Sequence, residues 1–133
     1  MLLSSLQNSE IKRLQKLLKK SKTRREINRF VIEGEREILR AIEAGYKIES
    51  FFKIKGAILD KKTEATIHQT HANQYVVTSL LWDRIAMRYG TEKLVALAVQ
   101  KKHDLKSLSL SSNSLIMVVE AAEKPGNIGA ILR

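Results

Sequence analysis

The sequence predicts an α/β protein with a mixed sheet between helices, and three observations carry that reading. Short apolar runs of strand length alternate with stretches whose apolar residues recur at helical spacing. Glycines and polar clusters punctuate the joins. One run, Leu94 to Val99, is apolar at every position, as expected of a strand covered on both faces.

In order, Asn8 or Ser9 can cap a first helix, with Glu10 at its positive end. Ile11, Leu14, Leu17 and Leu18 form its apolar stripe. Phe30 to Ile32 reads as a short strand that Glu33-Gly34 ends. A helix is expected from Glu35 to Ala44, with Ile38, Ala41 and Ile42 inward and Gly45 as its C′ residue. Ile48 to Ile54 is the next strand, and the β-α-β order favours a parallel pair with a right-handed crossover. Lys61 to Gln69 can be helical, although its threonines weaken the pattern. Tyr75 to Val77 is a strand. Thr78 or Ser79 then caps a helix to Arg88 that buries Leu81, Trp82 and Ile85, and Tyr89-Gly90-Thr91 is a turn. With Leu94 to Val99 at its centre, the sheet is expected to have four strands.

From Gln100 to Asn113 the chain is rich in Lys, Ser and Asn, as a linker would be. The reading divides the chain into a first domain at 1–106, a linker at 107–113 and the start of a second domain at 114–133. There Leu115 to Val119 reads as a buried strand, and Pro125-Gly126 as a sharp turn. Asn127 is expected to cap a helix on which Ile128, Ile131 and Leu132 share a face and which delivers Arg133. A domain that stopped so soon after a helix start would be unusual, so a longer protein is expected.

The chain of 133 residues carries 24 Lys and Arg against 14 Asp and Glu, a formal charge of +10. That surplus points to a polyanion, with RNA or DNA ahead of a membrane surface. It is concentrated in Lys12, Arg13, Lys16, Lys19, Lys20, Lys22, Arg24, Arg25 and Arg29, where Glu26 is the one acidic residue. Such a run suits phosphate contact, the bland alternative being a solvated helix followed by a flexible linker. The absence of cysteine excludes disulfides and thiolate metal sites. The N-terminus lacks the basic and apolar regions of a signal peptide, and the longest apolar run is far too short to span a bilayer, so a soluble, cytoplasmic protein is expected. His68 and His71 lack a third ligand nearby, so no metal is expected; His103 gets no role. Glu33, Glu35 and Glu37 alternate without a partner acid, and no phosphate-binding glycine motif is present.

Lys124-Pro-Gly-Asn-Ile-Gly-Ala-Ile-Leu-Arg133 resembles the first motif of the SpoU/TrmH family of RNA ribose methyltransferases. Pro125, Asn127, Gly129 and Arg133 match it; Lys124 stands where Asn or Asp is usual, and Glu120 where Asp is common. Arg29 to Gly45 is similar to the same family's N-terminal substrate-binding domain, a strand, Glu-Gly, then a helix ending in Gly. The resemblance implies a ribosomal-protein-like α/β/α RNA-binding domain, followed by the first strand and helix start of a trefoil-knot catalytic domain. It implies 2′-O-methylation of ribose in rRNA or tRNA, with Asn127 and Arg133 at the catalytic site and Glu33-Gly34 near bound RNA. A guanidinium gives up its proton so reluctantly that Arg133 is expected to orient the 2′-hydroxyl and stabilise developing charge rather than act as base.

The family's cofactor, S-adenosylmethionine, binds segments beyond the residues matched here. The chain alone is therefore expected to bind RNA without catalysis, as a possible monomer of a homodimeric enzyme, with no membrane partner. A non-catalytic RNA-binding module is the alternative, and a small DNA-binding protein the third reading.

Overall fold

The computed structural model describes residues 1–85, 92–121 and 124–132. Two compact units emerge, Met1–Lys101 and Lys102–Arg133.

The first unit contains β1 (Leu2–Leu3), α1 (Ser9–Lys19), α2 (Ser21–Glu26), β2 (Arg29–Glu33), α3 (Glu35–Glu43), β3 (Ile48–Ile54), α4 (Lys61–Gln69), β4 (Asn73–Val77), α5 (Ser79–Arg84) and β5 (Leu94–Val99). Its sheet has five strands in the order β1-β4-β3-β5-β2. The expected four-strand count missed β1, whose two residues are too few to show a period. Leu2 and Leu3 pair in parallel with Val76 and Val77, and Leu3 is buried.

The expected pairing of the second and third strands is corrected. β5 lies between them, antiparallel to both, so β2 and β3 run the same way without touching. The reason is composition. Leu94 to Ala98 has no polar side chain and is fully buried, which suits an interior slot, whereas β2 begins with Arg29 and ends with Glu33 and is better placed at an edge.

Helices cover both faces, giving the α/β/α layering. On one face α1 and α5 bring Ile11, Leu14, Leu17, Leu81, Trp82 and Ile85 against Phe52, Val77, Val95 and Leu97. On the other, Ile38 and Ile67 from α3 and α4 meet Ile32, Ile48, Phe51, Leu94, Ala96 and Ala98. β5 therefore alternates strictly between the two clusters, as a pleated strand must.

Local signals set the helix ends. The Asn8 side chain accepts from the backbone N–H of Glu10 at 2.9 Å and more weakly from Ile11 at 3.4 Å, satisfying orphan donors of α1. Gly45, at φ +74°, ends α3 in a Schellman motif, with Tyr46 N–H to Ala41 O at 2.9 Å and Gly45 N–H to Ile42 O at 2.8 Å. α5 closes at Ile85; the expected extension to Arg88 and the turn at 89–91 lie outside the described residues.

β3 carries one irregularity with wide consequences. Its register against β5 shifts between Ile48 and Ser50, so Glu49 is an extra residue opposite no partner. Regular alternation would put Ile48 on the face of Phe52. With the bulge it joins Phe51 on the other face, and the Glu49 side chain is turned toward α1. There it meets Arg13 Nη2 at 2.8 Å and Arg29 Nε at 3.0 Å. Burial pushes the Glu49 carboxyl up. The Arg29 hydrogen bond, the charges of Arg13 and Arg29, and the Arg13 hydrogen bond together outweigh it, and the net shift is down.

In the second unit, Leu115 to Val119 is not a strand. Its residues are exposed, Leu115 by 97% and Val118 by 89%. An apolar run becomes a strand only where a neighbour accepts its backbone hydrogen bonds, and none does so among the described residues. Asn127 is not an N-cap either. Lys124 holds the N-cap position of the helix α6 (Pro125–Ile131) without a side-chain cap, and Pro125 is in its first turn, where the ring's fixed φ is already helical. Asn127 is then two residues inside, its N–H bonded to Lys124 O at 3.0 Å.

Glu49→Gln should lower stability at neutral pH by about 1–2 kcal/mol, measured by urea unfolding. The folded carboxyl titrates below the ordinary value of 4.5. Between those two values the unfolded chain holds the extra proton, so wild-type stability rises with pH across that window. The variant should show a shallower rise there.

Candidate nucleic-acid interface

The nine basic residues from 12 to 29 do not form one surface. They divide into those that hold the fold and those that face solvent.

Arg13 and Arg29 belong to the first group. Both guanidiniums converge on Glu49, which ties α1, β2 and β3 together. Arg29 also donates from Nη1 to Ile27 O at 2.9 Å. Arg24, on α2, donates from Nη1 to Leu17 O at 2.7 Å and Leu18 O at 3.3 Å. It thereby satisfies carbonyls that the end of α1 leaves open.

Lys12, Lys16, Lys19 and Lys20 are exposed and have no ion-pair partner among the described residues. With Gln15, they line a shallow surface depression along α1. Lys22 is 84% exposed and 3.8 Å from Glu26, a separation at which an exposed pair contributes little. Arg25 is exposed nearby. α2 thus extends the basic face of α1 as a second helix, not as the flexible linker of the bland reading.

The helices on the opposite sheet face carry a different pattern. Arg36 pairs with Glu37 at 2.7 Å, Lys62 with Glu43 at 3.0 Å and Lys53 with Glu64 at 3.7 Å. The Glu37 carboxyl is held below its ordinary value, chiefly by the Arg36 hydrogen bond. Charge is locally balanced there, whereas on α1 and α2 it is left over. The unbalanced helices are the ones that can draw a polyanion.

Glu33 and Gly34 close β2. Gly34 is buried at φ +97°, a conformation that glycine adopts without strain. Its N–H donates to Leu94 O at 3.0 Å, and its carbonyl accepts the first α3 bond, from Ile38 at 3.1 Å. Gly34 therefore joins edge strand to helix. Glu33 is half-buried and, with Leu17, Leu18, Lys19, Arg24, Phe30 and Val31, lines a groove of about 340 Å³ between the helices and β2.

His68 and His71 are both exposed. Among the described residues, no group of three or more His, Asp or Glu side chains is placed to hold a metal ion. Asn127 is exposed on α6, and Arg133 lies outside the described residues. What the sequence reading missed was Glu49. Nothing in the order Lys47-Ile-Glu-Ser-Phe marks the bulge that recruits two of the nine basic residues to a carboxylate.

Residues 8–96 match the model of the MRM3-like substrate-binding domain. The chain belongs to that family. The domain is the one expected from Arg29 to Gly45, the N-terminal domain of SpoU-type methyltransferases. Among solved structures, an RNA 2′-O-ribose methyltransferase is similar at 33% identity and a TM-score of 0.77, over 99% of this chain and 50% of that one. The SpoU methyltransferase AviRb from Streptomyces viridochromogenes, in complex with AdoMet, is 19% identical with a TM-score of 0.67, over 81% of this chain and 39% of its own. An rRNA methyltransferase from Sinorhizobium meliloti is 20% identical with a TM-score of 0.66, over 81% and 40%. The last two share the fold. The chain thus spans half or less of the length of each. No curated protein matches it.

The two kinds of basic residue should separate in thermal unfolding. Lys16→Ala should leave stability within about 0.5 kcal/mol of wild type, because the side chain is exposed and has no ion-pair partner among the described residues. Arg13→Ala should cost about 1–2 kcal/mol by removing one arm of the Glu49 bridge.

Proposed function

We propose that this domain grips structured RNA for a ribose 2′-O-methyltransferase acting on rRNA or tRNA. The observation that carries the reading is the exposed basic run of Lys12, Lys16, Lys19, Lys20 and Arg25, without ion-pair partners among the described residues, together with Lys22 and its loose contact to Glu26, on a domain of the MRM3-like substrate-binding family. The similarity to an RNA 2′-O-ribose methyltransferase supports the choice of reaction. Four of these lysines line one depression along α1 and the other two cations follow on α2, an arrangement suited to phosphates spaced along a backbone. The domain brings the RNA, and the chemistry belongs to a catalytic domain that residues 114–133 begin. In the intact protein, Asn127 and Arg133 would act at the ribose. The whole enzyme would be a cytoplasmic homodimer.

S-adenosylmethionine is the methyl donor this reading implies, and related SpoU and rRNA methyltransferases are seen with it bound. The residues described here do not fit it. Every described side chain from 102 to 132 is exposed, with Gly129 alone half-buried, and a cofactor of that size needs an enclosing pocket. The chain by itself would bind RNA and transfer no methyl group. Calorimetric titration with S-adenosylmethionine should give no heat of micromolar binding.

The test is the salt dependence of RNA affinity, measured by filter binding with a structured rRNA or tRNA fragment. Replacing Lys12, Lys16 and Lys20 by Ala should weaken binding and reduce the slope of log K against log salt by roughly two. An unchanged slope would take α1 off the RNA. Duplex DNA competing equally well at about 0.15 M salt would overturn the choice of RNA.

A further inference from the structure

We infer that the groove between α1, α2 and the edge strand β2 receives a single unstacked guanine nucleotide of the bound RNA, and that Glu33 reads its base. This rests on the RNA-gripping role proposed above and adds a sequence preference to it.

The groove combines three chemistries in about 340 Å³, near the lower end of the range for small-ligand sites. Leu18 and Val31, both half-buried, supply apolar surface, suited to the face of a base that has left its stack. Lys19 and Arg24 supply positive charge for the attached phosphate. Arg24 is held in advance. Its Nη1 is spent on Leu17 O and Leu18 O, while Nε and Nη2 have no partner among the described residues. A guanidinium anchored at one nitrogen keeps an edge for a phosphate and loses little further freedom on binding it.

Glu33 is the feature that selects the base. A carboxylate in a phosphate-binding groove repels the backbone it should attract, so on electrostatic grounds alone it is misplaced. It earns a place by accepting hydrogen bonds. A carboxylate offers two acceptor oxygens and no donor. Guanine alone among the RNA bases presents two adjacent donors on its Watson–Crick edge, N1–H and the N2 amino group. Cytosine and adenine offer one amino group there, and uracil only N3–H. A bidentate contact of this kind is geometrically specific. Duplex RNA hides that edge, so the nucleotide must come from a loop, bulge or single strand.

The experiment uses the 133-residue chain and single-stranded hexanucleotides, with one central G, I, A or C in a uridine background, read by fluorescence anisotropy. The G oligonucleotide should bind roughly tenfold more tightly than all-U, and inosine, which lacks only the N2 amino group, should lose most of that advantage. Glu33→Gln should abolish the preference while leaving the salt slope unchanged. Inosine binding as well as guanosine overturns the inference with the native protein, whether or not the variant folds. A preserved salt slope with no base preference defeats this inference and leaves the RNA-gripping role standing. Absence of RNA binding defeats both.

Discussion

The Glu49 carboxylate, shared by Arg13 and Arg29, is the interaction on which the arrangement of this domain turns. It exists because β3 carries one residue more than β5 can pair. Without the bulge, Ile48 would exchange faces and Glu49 would leave α1. With it, a helix, an edge strand and an interior strand are bound at one point. The depressed carboxyl shows that the two guanidiniums win against the cost of burial. This bridge fixes α1 against the sheet, and α1 is the helix that carries the free lysines.

A division of labour among like charges follows. Arginines, with planar forks that can hold several acceptors, perform the inward tasks: Arg13 and Arg29 on Glu49, Arg24 on the α1 carbonyls. Lysines, as strongly hydrated point charges, remain outside at Lys12, Lys16, Lys19 and Lys20. The opposite face pairs its charges locally, so the sheet separates a neutralised side from a basic one. Family membership and fold make this a substrate-binding domain of the kind found in SpoU-type RNA methyltransferases. The groove at β2 lies where the basic side meets the sheet edge, and that is where phosphate contact can become recognition of a base.

Much of this was legible in the residues, and the exceptions share a cause. The bounds of β3 and α4, the Asn8 cap, the Gly45 terminus and the interior position of β5 were readable because each depends on neighbours in sequence. The pairing of β2 with β3 was misread, since a β-α-β order does not show that a later strand inserts between them. β1 was too short to signal itself. Leu115 to Val119 has the composition of a strand, yet composition supplies no ladder partner. At Asn127 a good capping side chain lost to Pro125, whose ring sets the helix start three residues earlier than an Asn127 cap would. In the basic run the sequence showed nine cations but not which of them a bulged glutamate would claim.

The most direct test of the basic side as the RNA-gripping side is amide-resolved NMR of the chain during titration with a structured RNA. The account predicts that shift changes concentrate in α1, α2 and β2, from Lys12 to Glu33, with α3 and α4 little altered. Changes centred on α3 and α4, with α1 silent, would contradict it.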